Sequence, residues 1–170
     1  MMIAAEERLR IDGMERYEVA NYARPGHESR HNLAYWSGRS YIGVGPAAHG
    51  MLDAETAAIV GLCQECDSDV ARVRYAERAD IDAWLTGVRA ETEMLTAAET
   101  RREDVMLGLR LTRGVPTQQV EEAGVTHVLE SLAERGLVEL AEGAGESRWR
   151  TTRSGWLLGN EVFGEVWNSD

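Results

Sequence analysis

The sequence predicts two unlike parts: an α/β segment over residues 1–92 and a helical segment with one β-hairpin over residues 93–170. Three observations carry that prediction. A helical stretch from Ile3 to Ile11 is stopped by Asp12-Gly13 and followed by the short apolar run Tyr17 to Ala20, the second half of an α/β unit. Thr96-Ala97-Ala98-Glu99 then forms a capping box that opens a longer helix. Beyond it lie two more helical stretches, two alternating strands across a Gly-rich turn, and a closing helix.

Each element follows from its residues. In the first helix Ala4, Ala5, Leu9 and, with them, Arg8 are expected to face inward. A lone strand at Tyr17-Glu18-Val19-Ala20 cannot satisfy its own backbone groups, so the chain reads as starting in the middle of a fold. Asn21 to Gly38 reads as a polar, aromatic loop, and Tyr41 to Gly45 as a strand ending in a glycine turn. Residues 51–70 read as loop, because Gly61, Asp67, Ser68 and Asp69 break any long period. A helix is expected from Ile81 to Arg89. The capped helix from Thr96 runs to about Leu111, with Val105, Met106, Leu109 and Leu111 toward the core and Gly114 ending it. Helices over Thr117–Ala123 and Thr126–Arg135, strands over Leu137–Leu140 and Arg148–Thr151, and a helix over Ser154–Val166 complete a winged-helix-like pattern.

Composition excludes more than it selects. At 170 residues and 44% hydrophobic, the chain can bury roughly 70% of its unfolded surface. No run approaches the roughly 20 apolar residues of a membrane span. Met1-Met2-Ile3-Ala4-Ala5 leads into Glu6-Glu7-Arg8 rather than into a signal-peptide core, so a cytoplasmic location is expected. The net charge is −11, and all 18 basic residues are arginine. Such a chain repels a phosphate backbone. Residues 91–170, which contain the helix–hairpin–helix part, carry 15 acidic and 8 arginine side chains, so that part reads as a packing or partner module and not as a DNA reader.

The densest reactive cluster is His27, Arg30, His31, Asn32, Tyr35, Trp36 and, further on, His49. Neutral imidazole is a good iron ligand, and flat aromatic rings suit a planar macrocycle. The same residues also describe a surface loop whose Tyr35 and Trp36 plug the core beneath it, and spacing alone favours that plainer reading. Gly43-Val44-Gly45-Pro46-Ala47-Ala48-His49 is equally open: glycines let a backbone approach a ligand, or simply make a tight turn. It has neither the spacing of a dinucleotide fingerprint nor the lysine of a P-loop. Cys63-Gln64-Glu65-Cys66 lacks the second pair of a closed zinc site, and two free thiols are expected.

Tyr17 to Gly50, YEVANYARPGHESRHNLAYWSGRSYIGVGPAAHG, resembles the late barrel region of HemW-type proteins, heme chaperones within the HemN-like radical S-adenosylmethionine (SAM) family. His31-Asn32-Leu33-Ala34-Tyr35-Trp36 matches the HNxxYW motif associated with heme binding in that family, a motif at which the related coproporphyrinogen III dehydrogenases differ. Tyr41 to His49 is similar to the family's G-x-G-P-x-A-H segment. Residues 96–167, with MLGLRLTRGV, LAERGLVEL and RWRTTRSGWLLGNEVF, resemble the HemN C-terminal domain.

The resemblance implies the last part of a radical SAM (β/α) partial barrel over 1–92 and a HemN C-terminal winged-helix-like domain over 93–170. It implies heme binding through His31, Asn32, Tyr35 and Trp36, SAM beside Gly43, Gly45, Ala48 and His49, and delivery of heme to an acceptor protein. The family's CxxxCxxC motif for a 4Fe–4S cluster is absent from this sequence, and a whole barrel needs about 200 residues or more. The chain alone is therefore expected not to be catalytic, and to associate with a separately supplied first half or a second copy. Two rival readings follow from the same family and the same tail: an oxygen-independent coproporphyrinogen III oxidase of porphyrin biosynthesis, and a non-catalytic interaction module.

Overall fold

The computed structural model describes residues 1–63, 67–87, 91–143 and 145–169. They divide into two compact units, residues 1–38 with 101–169, and residues 39–100. Both mix helices with small sheets, every described strand pairing is antiparallel, and no closed barrel is formed among the described residues.

In the first unit, α1 (Met2–Ile11) ends at Asp12 and Gly13, the glycine taking the positive φ of 75° that such a stop requires. The helix buries none of its residues: Ala4, Ala5 and Arg8 are exposed and Leu9 is half-buried, contrary to the inward face read from the sequence. Tyr17 to Ala20 is not a strand either. β1 (Glu15–Arg16) and β2 (Tyr22–Ala23) form a hairpin, and residues 17–21 are its connection. Glu18 decides this, because its buried carboxylate accepts the Ala20 amide two residues on and bends the backbone that a strand would extend. Within the expected loop, Ser29 accepts the Asn32 amide and caps a two-turn helix, α2 (Arg30–Trp36).

The second unit holds most of what sequence patterning missed. The expected strand at Tyr41–Gly45 survives only as a bridge between Tyr41 and Met51. Gly45 adopts a φ of 110° and Pro46 has no amide to donate, so the ladder cannot continue. The expected loop at 51–70 instead contains the end of β3 (His49–Asp53) and α3 (Ala54–Ile59). β4 (Val70–Ala76) lies between β3 and β5 (Glu91–Thr96), and α4 (Ile81–Leu85) stands between β4 and β5 in sequence. Arg72 and Arg74 had disguised β4 as polar, yet Arg72 is only 8% exposed and Val73 is fully buried. Leu52, Ala57, Cys63, Val73 and Tyr75 form this unit's core. Cys63 is buried and is not a free thiol, which corrects the earlier expectation. Cys66 and Arg89 lie outside the described residues.

Asp53 caps α3 by accepting the Thr56 amide at 2.8 Å and the Thr56 hydroxyl at 2.9 Å. These bonds to the charged form hold its carboxyl below the usual value of 3.8. A folded value below the unfolded one stabilises the protein above about pH 4 and ceases to do so as pH falls through the lower, folded value. Asp53→Ala is expected to cost about 1 kcal/mol at neutral pH, as N-cap removals do. Urea melts of variant and wild type should converge as pH falls below 4. A difference that persisted unchanged at pH 2 would assign the effect to packing.

The capping box is present as read: Thr96 and Glu99 exchange hydrogen bonds at the start of α5 (Ala97–Gly108). Four elements after it follow the expected order, α6 (Thr117–Glu122), α7 (Thr126–Glu134), β7 (Val138–Glu142) and β8 (Ser147–Thr151), and a short strand that the sequence reading did not anticipate, β6 (Val115–Pro116), precedes them. β8 is central, between β6 and β7. The closing helix is two, α8 (Arg153–Leu157) and α9 (Gly159–Trp167), broken at Leu158. Val105, Leu109, Val120, Leu129, Leu132, Val162 and Val166 are fully buried in the core they share. Among the described residues no helix is long and apolar enough to cross a membrane.

Candidate functional site

Helix α2 divides the HNxxYW residues between two faces. His31 and Tyr35, four residues apart, sit on one side, their rings edge-to-face with centroids 4.7 Å apart and planes at 88°. His31 is exposed, and among the described residues no hydrogen bond engages its imidazole. Asn32 and Trp36, also four apart, turn the other way. Asn32 Nδ2 donates to the Tyr17 hydroxyl at 3.3 Å. Trp36 lies against Arg110, whose guanidinium carbon is 5.1 Å from the indole centroid. Within the motif His31 is exposed, whereas Asn32, Tyr35 and Trp36 are half-buried, and Asn32 and Trp36 make the contacts that anchor this short helix.

The hairpin beside α2 is fastened in the same way. The Thr112 amide and hydroxyl both donate to the Tyr17 carbonyl. Trp156 Nε1 donates to the Val19 carbonyl at 2.8 Å, and Arg16 stacks over the same indole at 4.1 Å. A cation–π contact of this kind contributes about 0.5–2 kcal/mol, more where water is excluded. Arg113 donates to the Ser37 hydroxyl just past the end of α2. Seven residues of helix could not hold their shape alone. The 101–169 portion supplies what they lack.

Arg110 is the residue that sequence reading overlooked. It is clamped between Trp36 and Phe163, the latter ring 4.3 Å away. Burial lowers its pKa, opposed by the charge of Glu18. The one signal available was a lone arginine between two core leucines, Leu109 and Leu111.

The turn at 43–49 belongs to the other unit. Gly43 donates its amide to the Tyr75 hydroxyl at 3.0 Å and accepts that hydroxyl's proton at its carbonyl. A Cβ at Gly43 would lie 2.1 Å from the His49 carbonyl oxygen. The absence of a side chain there is used for close packing of the chain on itself. Gly45 has open space around its Cα and a φ of 110°. Ala47 also takes a positive φ, 60°, a conformation that costs about 1–3 kcal/mol for a residue with a side chain. Ala48 is half-buried and His49 exposed. A small-molecule edge at Gly45 and His49 is geometrically open, whereas Gly43 is committed to internal contacts. No described group of three or more His, Cys, Asp or Glu side chains is placed to hold a metal ion.

Residues 95–158 match the family model of the HemN C-terminal domain. Over 164 residues the chain is 34% identical to the heme chaperone HemW of Bacillus subtilis (strain 168), an alignment covering 92% of this chain and 39% of that relative. It is 32% identical over 141 residues to the heme chaperone HemW of Synechocystis, covering 79% of this chain and 32% of the relative. A third relative, radical S-adenosyl methionine domain-containing protein 1, mitochondrial, of Danio rerio, is 31% identical over 119 residues, with 66% and 24% covered. The chain spans no more than 39% of the length of these curated relatives. No solved structure matches it.

Proposed function

We propose that this chain, which belongs to the HemW-type family of HemN-like proteins, binds heme as cargo through the outward face of α2 and presents it to an acceptor protein. The observation that carries this reading is the anchored α2: an exposed His31 imidazole, edge-to-face with the Tyr35 ring and in no hydrogen bond among the described residues, on a helix held by Asn32 and Trp36. Neutral imidazole ligates heme iron, and an aromatic edge beside it packs against the macrocycle. His31 is the iron ligand in this proposal, Tyr35 the flanking surface, and Asn32 and Trp36 the groups that fix the helix orientation.

The same reading takes residues 1–92 as the C-terminal part of the relatives' radical SAM region and 93–170 as the HemN C-terminal domain. SAM, when bound, supplies a radical precursor that needs an electron from an iron–sulfur cluster. This chain has no CxxxCxxC motif to hold that cluster. Gly45, Ala48 and His49 are proposed as one edge of a SAM site, and the chain by itself as a binder and not a radical enzyme.

The test is a hemin titration of the whole chain followed by absorbance, with His31→Ala beside wild type. A saturable Soret shift in wild type, weakened by about tenfold or more in the variant, is expected, the scale of losing a group that fixes a metal. Equal affinity in the two proteins would remove His31 from the site, and no saturable shift in folded wild type would remove heme from this chain.

A further inference from the structure

Arg110 is a cation with poor compensation. Its Nε is buried with no hydrogen-bond partner among the described residues. Its contacts are two aromatic faces, Trp36 and Phe163. The carboxylate that acts on it, Glu18, does so from beyond ion-pairing distance, with its own oxygen accepting the Ala20 amide. A guanidinium carries five donors in a fixed fork suited to a carboxylate. Leaving a buried donor such as this Nε unmet is costly, so a half-buried arginine of this kind marks a place where an anion is wanted.

The guanidinium also opens on a surface. It lines a cleft of about 490 Å³ together with Met2, Val19, Trp156, Leu157, Leu158 and Phe163. Three apolar residues of that wall are left in water: Met2 is 40% exposed, Leu157 43% and Leu158 49%. Trp156 and Phe163 form an aromatic floor, each nearly buried. Glu161 at the rim is engaged with Arg135. An apolar recess with one convergent cation is the composition of a small-molecule site.

We propose that this cleft is a second ligand seat, separate from the outward face of α2, in which Arg110 holds the carboxylate of a large, flat, apolar molecule. Resting on the heme reading above, that molecule is a tetrapyrrole and the carboxylate one of its propionates. A planar body covers the Leu157–Leu158 wall and the aromatic floor, and the propionate meets the guanidinium at the edge of Phe163. Ligand binding would give Arg110 the counter-ion that the protein withholds.

Metal-free protoporphyrin IX and its dimethyl ester test this without any contribution from iron. Binding of each to the whole chain is read from quenching of tryptophan fluorescence. Wild type is expected to bind the free acid about tenfold or more tightly than the ester, the scale of one charge-assisted hydrogen-bonded pair. Arg110→Gln should bind both with the ester's affinity, and Arg110→Lys should keep part of the preference because it keeps the charge. His31→Ala should keep all of it. Circular dichroism melts establish that each variant is folded, and Arg110→Lys carries the test if Arg110→Gln is not. Equal affinity of wild type for acid and ester, or a preference that persists in Arg110→Gln, would overturn the assignment. The two readings fail separately. A His31-dependent Soret shift without acid preference removes the Arg110 seat alone. An Arg110-dependent acid preference without that shift removes the iron site alone.

Discussion

Gly155→Ala is expected to destabilise the unit formed by residues 1–38 and 101–169 by about 3 kcal/mol or more, the range reserved for severe steric conflict or loss of packing in a core. Gly155 is buried in the first turn of α8. A Cβ there would stand 1.7 Å from the Leu137 carbonyl oxygen and 2.7 Å from its carbon. Both are backbone atoms, so no rotamer change relieves the overlap. Leu137 cannot retreat freely, since its carbonyl accepts the Thr152 amide at 3.0 Å, and Thr152 caps the same helix by accepting the Gly155 amide. Displacing α8 would also pull Trp156 from the Val19 carbonyl. Gly164→Ala is the control. It lies within α9, a Cβ there meets nothing within 4 Å, and the change should be neutral or stabilising by about 0.5–1 kcal/mol through helix propensity. Denaturant melts of the two variants should therefore move in opposite directions or differ greatly. Similar midpoints would mean that α8 does not pack on the start of β7 as described.

What could be read from the sequence depended on where the deciding interactions lie. The C-terminal elements were legible because each is specified locally. Thr96 and Glu99 satisfy each other across one helical turn, Gly114 and Gly136 end elements at positive φ, and the β7–β8 pair alternates around a glycine turn. The three-strand sheet of residues 39–100 was illegible for the opposite reason. β4 is central, yet its sequence VARVRYA carries two arginines, and β5 reads ETEMLT with four of its six residues exposed. Their strand character comes from pairing across the chain, β4 with both β3 and β5, and β5 with β4, which outweighs local preference. Glu18 misled in another way, since an apparently solvent-facing carboxylate inside an apolar run proved to be 1% exposed and to shape the hairpin connection.

The candidate site shows the same division. That residues 31–36 were worth attention was clear from the motif, but the loop expected there is a helix, and only a helix puts His31 with Tyr35 and Asn32 with Trp36. Spacing of i, i+4 is a statement about faces only once the helix is known. Arg110 lay beyond such reasoning because its neighbours Trp36, Phe163 and Glu18 come from three distant parts of the chain.

Trp36→Ala is expected to separate the two faces of α2 experimentally. Truncating a half-buried indole that stacks on Arg110 should cost about 2 kcal/mol, below the 3–5 typical of fully buried aromatics. His31→Ala, at an exposed position, should stay within about 0.5 kcal/mol of wild type. Trp36→Phe discriminates further. The indole Nε1 is buried with no hydrogen-bond partner among the described residues, so removing it forfeits none of their bonds while an aromatic face remains for the guanidinium. That variant should recover most of the loss. A double-mutant cycle of Trp36→Ala with Arg110→Ala should return about 1 kcal/mol of coupling, the magnitude of one cation–π contact. If α2 works as an anchored platform, hemin affinity should fall in Trp36→Ala and return in Trp36→Phe, tracking helix stability and not the chemistry of the indole N–H. Loss of affinity in Trp36→Phe with stability intact would instead place that N–H in contact with the cargo. The assignment of Trp36 as an anchor would then be wrong, and the inward face of α2 would become part of the binding surface.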